Sequence, residues 1–219
     1  MIKLVVFDWN GTLLADLAAV VEATNVVLSR YDVAPISVRQ YQETHEIPLK
    51  HMHKKFGIDE KRYENNMLES NRAFHDFYEP RVAKARTRSG TRQTMEKLHS
   101  LGMERIILSN HTIEGVYLQL ERLKLAHHFE TILANDDIVT SHYTGKEHRL
   151  KDYLELHKIS PAQTVIVGDT TEEIRIGHHL GLKTVAITGG YNTPQRLKAA
   201  GPDAIINKLY DLITVVKEL

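Results

Sequence analysis

Short apolar runs recur along the chain, each closed by a turn or polar residue: Ile2 to Phe7, Arg105 to Leu108, Thr131 to Leu133, Thr164 to Val167, Thr184 to Ile187 and Ala204 to Ile206. Their continuity, without polar alternation, predicts strands buried on both faces, as in a parallel sheet. Stretches of helical period lie between them: Thr91 to Leu101, with Met95 and Leu98 apolar, then Ile113 to Leu123, Leu150 to His157 and Glu173 to Leu180. Strand and helix alternating in this way predict a doubly wound α/β sheet with a Rossmann-like core.

One stretch breaks the alternation. From about Asp16 to Lys84 there is no strand pattern, and helical segments run at Leu17 to Tyr31, Val38 to Glu43, Leu49 to Phe56 and Glu60 to Tyr78. Roughly 70 residues between the first two strands far exceed a connection of about 2–6 residues plus one crossover helix. The expected division is therefore an α/β core of residues 1–15 and 85–219 and an inserted helical cap of residues 16–84. Pro35, Pro48 and Pro80 read as loop or helix-end punctuation.

Composition narrows the partners. The 219 residues are 42% hydrophobic and 26% charged, a globular balance with room for one or two domains. Lys and Arg number 28 and so do Asp and Glu, so the whole chain has no field to draw in nucleic acid or an anionic membrane. The absence of cysteine excludes disulfides, thiolate catalysis and cysteine metal sites, and accords with a reducing cytoplasm. The opening apolar run reads as a strand, too short for a signal segment, and no run approaches the roughly 18 apolar residues of a membrane span. A soluble cytoplasmic protein acting on a small molecule is expected, with its oligomeric state open.

Four predicted strand ends deliver polar residues, and the carboxyl edge of an open α/β sheet is where ligands bind. They are Phe7-Asp8-Trp9-Asn10-Gly11-Thr12, Ser109-Asn110, Gly145-Lys146 and Gly168-Asp169-Thr170-Thr171-Glu172-Glu173. Singly, each is an ordinary cap, turn or solvated lysine. Together they supply what phosphoryl transfer needs: a nucleophile, hard oxygens for a metal, and positive or N–H donors around the transferred oxygens.

In this order the motifs FDWNGTL, LSN, GK and VGDTTEEI resemble the four motifs of the haloacid-dehalogenase superfamily. The likeness spans nearly the whole chain, and segments such as HKISPAQTVIVGDTTEEIRIGHHLGLKTVAITGGY and AAGPDAIINKLYDL are similar to phosphoglycolate-phosphatase-like members. The resemblance implies a Mg-dependent phosphatase in which Asp8 attacks phosphorus and carries an aspartyl-phosphate. It implies magnesium held by Asp8, Asp169, the carbonyl of Asn10 and Glu173, and phosphoryl oxygens met by Ser109, Lys146 and the amides of Asn110 and the Gly11-Thr12 turn. Lys146 is followed by Glu147 where the family often has proline, which leaves Lys151 as a fallback.

The chain departs from this family at Asn10, where most of its phosphatases carry an aspartate that protonates the leaving oxygen and later activates water. An amide does neither, and losing general acid–base catalysis costs about 10²–10⁴-fold. Three readings follow: a working phosphatase that favours good leaving groups or recruits His111 or Glu172 as proton carrier, a phosphate-binding regulatory protein, and a dehalogenase. The acidic GDTTEE loop counts against the last, and the missing acid against a phosphomutase. An Asp-to-Asn change here is also what one would introduce to stall such an enzyme.

Other features read as structure. The pairs His51/His53, His127/His128 and His178/His179 lack ligand spacing, since neighbours on a helix point about 100° apart. His45, Glu46 and Lys50 in the basic part of the cap could meet a substrate, but a solvated helix face is the favoured reading. Trp9, between two site residues, is expected in the core.

Overall fold

The computed structural model describes residues 1–137 and 145–219. Among them one sheet forms from β1 (Leu4–Phe7), β2 (Glu104–Thr112), β3 (Thr131–Asn135), β4 (Thr164–Gly168), β5 (Lys183–Ile187) and β6 (Ala204–Ile206), in the spatial order β3-β2-β1-β4-β5-β6. Every pairing is parallel. Helices α1 (Leu17–Ser29), α2 (Val38–Thr44), α3 (Leu49–Lys55), α4 (Glu60–Asn65) and α5 (Met67–Val82) lie between β1 and β2. The rest are α6 (Thr91–Ser100), α7 (Ile113–Leu123), α8 (Lys146–Leu156), α9 (Thr171–Leu180), α10 (Pro194–Ala199) and α11 (Leu212–Glu218).

The unbroken apolar runs follow from burial on both faces. Leu4 and Val6 join Ile106, Leu108 and Ile166 against Leu150 and Leu154 of α8 and Ile176 of α9. Val5 and Phe7 face the other layer, with Ile107, Val165 and Val167 against Met95, Leu98 and Leu212. Burying one such aliphatic side chain contributes about 1.5–3 kcal/mol. The second cluster continues without a break into α1 to α5 through Val20, Val27, Met52 and Tyr78.

Two chain crossings connect these five helices to the sheet and lie side by side. Leu14 bridges Thr87, the Ala15 amide donates to the Arg86 carbonyl at 2.9 Å, and the Arg88 amide donates to the Leu13 carbonyl at 2.8 Å.

Several boundaries differ from the sequence reading. The expected helix over Glu60 to Tyr78 is two, because Asn66 (φ −114°, ψ 12°) leaves the helical region and separates α4 from α5. Pro80 stands inside α5, where its ring removes a backbone donor only in the last turn, instead of ending the helix. Pro48 caps α3 after a cis Ile47–Pro48 bond, and Pro35 lies in the connection before α2. α8 begins at Lys146, not Leu150, and β2 continues through Ser109, Asn110 and His111 with a register shift after Leu108.

β1 is the central strand that matters for the site. From it the chain builds outward to β2 and β3 on one side, then returns to β4, β5 and β6 on the other. Such a reversal opens a crevice at the carboxyl ends of the two strands that flank it. Asp8 follows β1 and Asp169 follows β4, with Ser109 on the neighbouring β2.

Candidate active site

Asp8 is anchored by its amide, which donates to the Val167 carbonyl of β4 at 2.9 Å. Lys146, the first residue of α8, lies 2.6 Å from Asp8 Oδ1 and 2.5 Å from Glu173 Oε1, and all three are buried. Burial pushes the Asp8 carboxyl well above its usual range against the pull of Lys146, and the charges of Glu173 and Asp169 add to the rise. Burial would lower the Lys146 ammonium, but Asp8, Glu173 and Glu172 together raise it and keep it protonated. Lys151 instead faces solvent on α8 and pairs with Glu155 at 3.8 Å. Geometry brings Lys146, and not the fallback, to Asp8.

Asp169 is fully buried, and its carboxylate accepts from Thr12 Oγ1 at 2.5 Å and from the Tyr191 amide at 2.6 Å. Burial, then the charge of Glu173, pushes it up to about 7, against those two hydrogen bonds. A Cβ on Gly11 or Gly190 would stand 2.3 or 2.1 Å from Asp169 Oδ2, so this carboxylate sits in a cradle that only glycine leaves open. Glu173 closes a capping box at the start of α9, its Oε2 accepting from the Thr170 amide and hydroxyl. Glu172 accepts from the Asn110 side chain at 2.7 Å, while its Oε1 is buried with no hydrogen-bond partner.

Gly11 and Thr12, expected at the phosphate through their amides, make other contacts. The Gly11 amide, at φ 76°, donates to Asp16 Oδ1 at 2.8 Å and to the Leu14 carbonyl at 3.1 Å. The Thr12 hydroxyl is spent on Asp169, and neither residue lines the cavity. The tight turn needs those donors for itself, so Gly11 and Thr12 shape the loop that carries Asp8. Ser109, Asn110, Asn10, Lys146 and Glu173 do line the cavity with Asp8.

Asn10 is fixed by donating its amide to Asp16 Oδ2 at 2.9 Å and to the Tyr78 hydroxyl at 2.8 Å. Tyr78 and Tyr191 each donate to the same Asp16 oxygen at 2.6 Å. Sequence reasoning missed Asp16, because an aspartate before a helix reads as its cap; here its side chain makes no cap bond and turns back to the loop. Nothing local marks Tyr78 or Tyr191.

A second unforeseen group joins α5 to β2. Glu79 Oε1 lies 2.9 Å from His75 Nδ1 and 3.3 Å from His111 Nε2. Burial would raise Glu79, but its close contacts with His111 and His75 hold it down to about 2. These three are close enough to share a cation, unlike the three histidine pairs of the sequence. The tautomer argues against that use: the Thr112 amide donates to His111 Nδ1 at 2.6 Å, so the His111 proton sits on Nε2 and faces Glu79. A ligating imidazole normally donates from its other nitrogen.

The remaining candidates resolve as structure. Lys50 pairs with Glu60 at 2.8 Å and Glu64 at 3.1 Å, and Glu46 with Lys55 at 2.9 Å; neither lines the cavity. His45 does line it, buried against Tyr41 and Tyr191. Trp9 is wholly buried and bonds to Gln119.

The sequence profile of the haloacid dehalogenase-like hydrolases matches residues 5–187. The chain belongs to that family. It is 25% identical over 215 residues to a phosphoglycolate phosphatase of Synechococcus elongatus, covering 98% of this chain and 97% of that one. It is 27% identical over 222 residues to the pyrophosphatase PpaX of Bacillus cereus, covering 100% and 98%. A solved structure of a predicted phosphatase from Clostridium acetobutylicum superposes over 100% of both chains with a TM-score of 0.85 at 19% identity, a likeness of fold. No helix among the described residues of this haloacid dehalogenase-like hydrolase is long and apolar enough to cross a membrane.

Proposed function

We propose that this hydrolase removes the phosphoryl group from a small phosphorylated metabolite through a covalent intermediate on Asp8. It is a phosphoric monoester hydrolase of the haloacid dehalogenase type, in keeping with the phosphatases it resembles. The observation that carries the mechanism is the buried Asp8–Lys146 contact of 2.6 Å at the crevice between β1 and β4.

The lysine bond falls on Asp8 Oδ1, which leaves Oδ2 to attack phosphorus as the ester P–O bond breaks. Lys146 and the Ser109 hydroxyl then meet charge on the equatorial phosphoryl oxygens, as donors already fixed in a water-poor site. Water hydrolyses the aspartyl-phosphate, releasing inorganic phosphate and restoring the carboxylate.

The donor set fits a hard dication: Asp8, Glu172 and Glu173 crowd around one buried ammonium, the charge of Asp169 is near enough to raise Asp8, and Glu172 Oε1 has no hydrogen-bond partner among the described residues. Magnesium would be held by Asp8, Asp169 and the Asn10 carbonyl, with Glu173 or Glu172 completing the oxygens. When bound it would keep Asp8 ionised and offset phosphoryl charge.

Asn10 has no proton to give. His75 lines the cavity with Nδ1 held by Glu79, and a substrate with a good leaving oxygen, which needs no proton, suits this site best. The locked Asn10 amide also favours a second reading, a protein that binds phosphate and scarcely turns over. Phosphate release from an ester panel, with magnesium and with chelator, separates the two. Magnesium-dependent release that vanishes in Asp8→Ala supports the phosphatase; release that survives in Asp8→Ala rejects it, and phosphate binding without release supports the second reading.

A further inference from the structure

The chamber above Asp8 differs in character from its floor. It is a cavity of about 150 Å³ whose polar floor comes from the sheet edge and whose walls come from α1 to α5. Val20, Val27, Leu49, Met52 and Phe74 give those walls apolar surface, interrupted by polar side chains such as Asn71 and His75. Among the described residues, Lys146 is the only lysine or arginine that lines it, and no aspartate or glutamate of the cap does. Residues 138–144, which lie outside the described part, contain no lysine, arginine, aspartate or glutamate.

Some polar side chains of the walls are already engaged, while His45 Nδ1 is buried with no hydrogen-bond partner among the described residues. The Thr24 hydroxyl donates to the Val20 carbonyl at 2.8 Å, and Ser70 pairs with Tyr31 at 2.8 Å. Tyr78 and Tyr191 give their hydroxyls to Asp16 and so present rings to the cavity. His45 is neutral, held down to about 3 by burial and by the nearby charges of Arg196 and Lys146.

A second anion on the substrate would therefore meet apolar walls and the carboxylates of the floor, with no cation left to pair it. A sugar would bury several hydroxyls with few partners. Either is costly, because an unpaired buried charge or polar group loses its hydration without return.

We propose, resting on the phosphatase reading, that the substrate is the phosphate monoester of a small, neutral, apolar alcohol or phenol, and not a carboxylated, diphosphorylated or sugar phosphate. Size agrees: an apolar cavity of about 150 Å³ holds a molecule such as benzene.

The test compares kcat/KM of the magnesium-loaded protein for benzyl phosphate, phosphoglycolate, pyrophosphate and a hexose phosphate. Benzyl phosphate should lead by at least about 10²-fold, the discrimination a site exerts when a buried group goes unpaired. Leu49→Arg, which places a cation on the half-buried wall, should shift the ratio toward phosphoglycolate by about tenfold or more. A wild-type preference for phosphoglycolate, pyrophosphate or the sugar overturns the proposal and leaves the phosphatase reading intact. If no ester is hydrolysed, the phosphatase reading fails, and calorimetry with non-hydrolysable analogues decides the cavity. Benzylphosphonate binding more tightly than a carboxyalkyl phosphonate upholds the apolar chamber; equal or weaker binding overturns it.

Discussion

Asn10 donates its side-chain amide to Asp16 at 2.9 Å, and that contact explains why an amide suits this position. Asp16 also accepts from the Gly11 amide and two tyrosine hydroxyls. An aspartate at position 10 would bring a second carboxyl against it, and two carboxylates in contact cannot both ionise cheaply. Asn10→Asp should therefore hold its proton and act as an acid. The rate on alkyl phosphates is expected to rise by about 10²-fold, mainly in kcat, with much less change on acyl phosphates, whose leaving oxygens need no proton. The double variant Asn10→Asp, Asp16→Asn should recover the stability the single variant loses. Steady-state kinetics with denaturant melts of both checks this, and no gain on alkyl esters would mean that another group already carries the proton.

The lysine assignment is open to a direct contrast. Lys146→Ala removes the only buried ammonium among the site carboxylates, whereas Lys151→Ala touches an exposed i,i+4 pair. Phosphate release should fall at least about 10²-fold in the first. The second should shift stability by no more than about 0.5 kcal/mol and leave the rate unchanged. Equal losses in the two variants would reject the assignment.

His45 predicts the acid limb of stability. Its imidazole is held at about 3 in the folded protein against an ordinary 6.5, so between these values the unfolded chain takes up a proton that the folded one refuses. The favourable state is full above the unfolded value and is lost as pH falls through that window. The slope should approach about 1.4 kcal/mol per pH unit from this group. Chemical denaturation from neutral pH down to the acid transition, compared with His45→Gln, should show the variant less sensitive. An unchanged slope would assign the acid limb elsewhere.

Much of this molecule was legible because its signals are local. Continuous apolar runs such as Thr164 to Val167 can only be strands covered on both faces, and the polar residues that follow them land on one sheet edge whenever the sheet is parallel. The strand ends of Asp8 and Asp169 followed from that order, whereas Lys146, expected at a strand end too, opens α8. What escaped was assembled across distance. Tyr78 and Tyr191 reach Asp16 over 62 and 175 residues, and a lone tyrosine in a helix or loop carries no period that announces a partner. The same holds for Glu79, which gathers one histidine from its own helix and one from β2. The contacts of Gly11 and Thr12 escaped as well: the Gly11 amide goes to Asp16 and the Thr12 hydroxyl to Asp169.

The central claim is covalent catalysis at Asp8, and trapping the intermediate tests it most directly. Rapid acid quench of the magnesium-loaded protein turning over an aryl phosphate, followed by peptide mass spectrometry, should find one phosphoryl group on the peptide that holds Asp8 and none in Asp8→Asn. Turnover at the wild-type rate with that peptide unmodified, or with the phosphoryl group on another residue, would contradict the account.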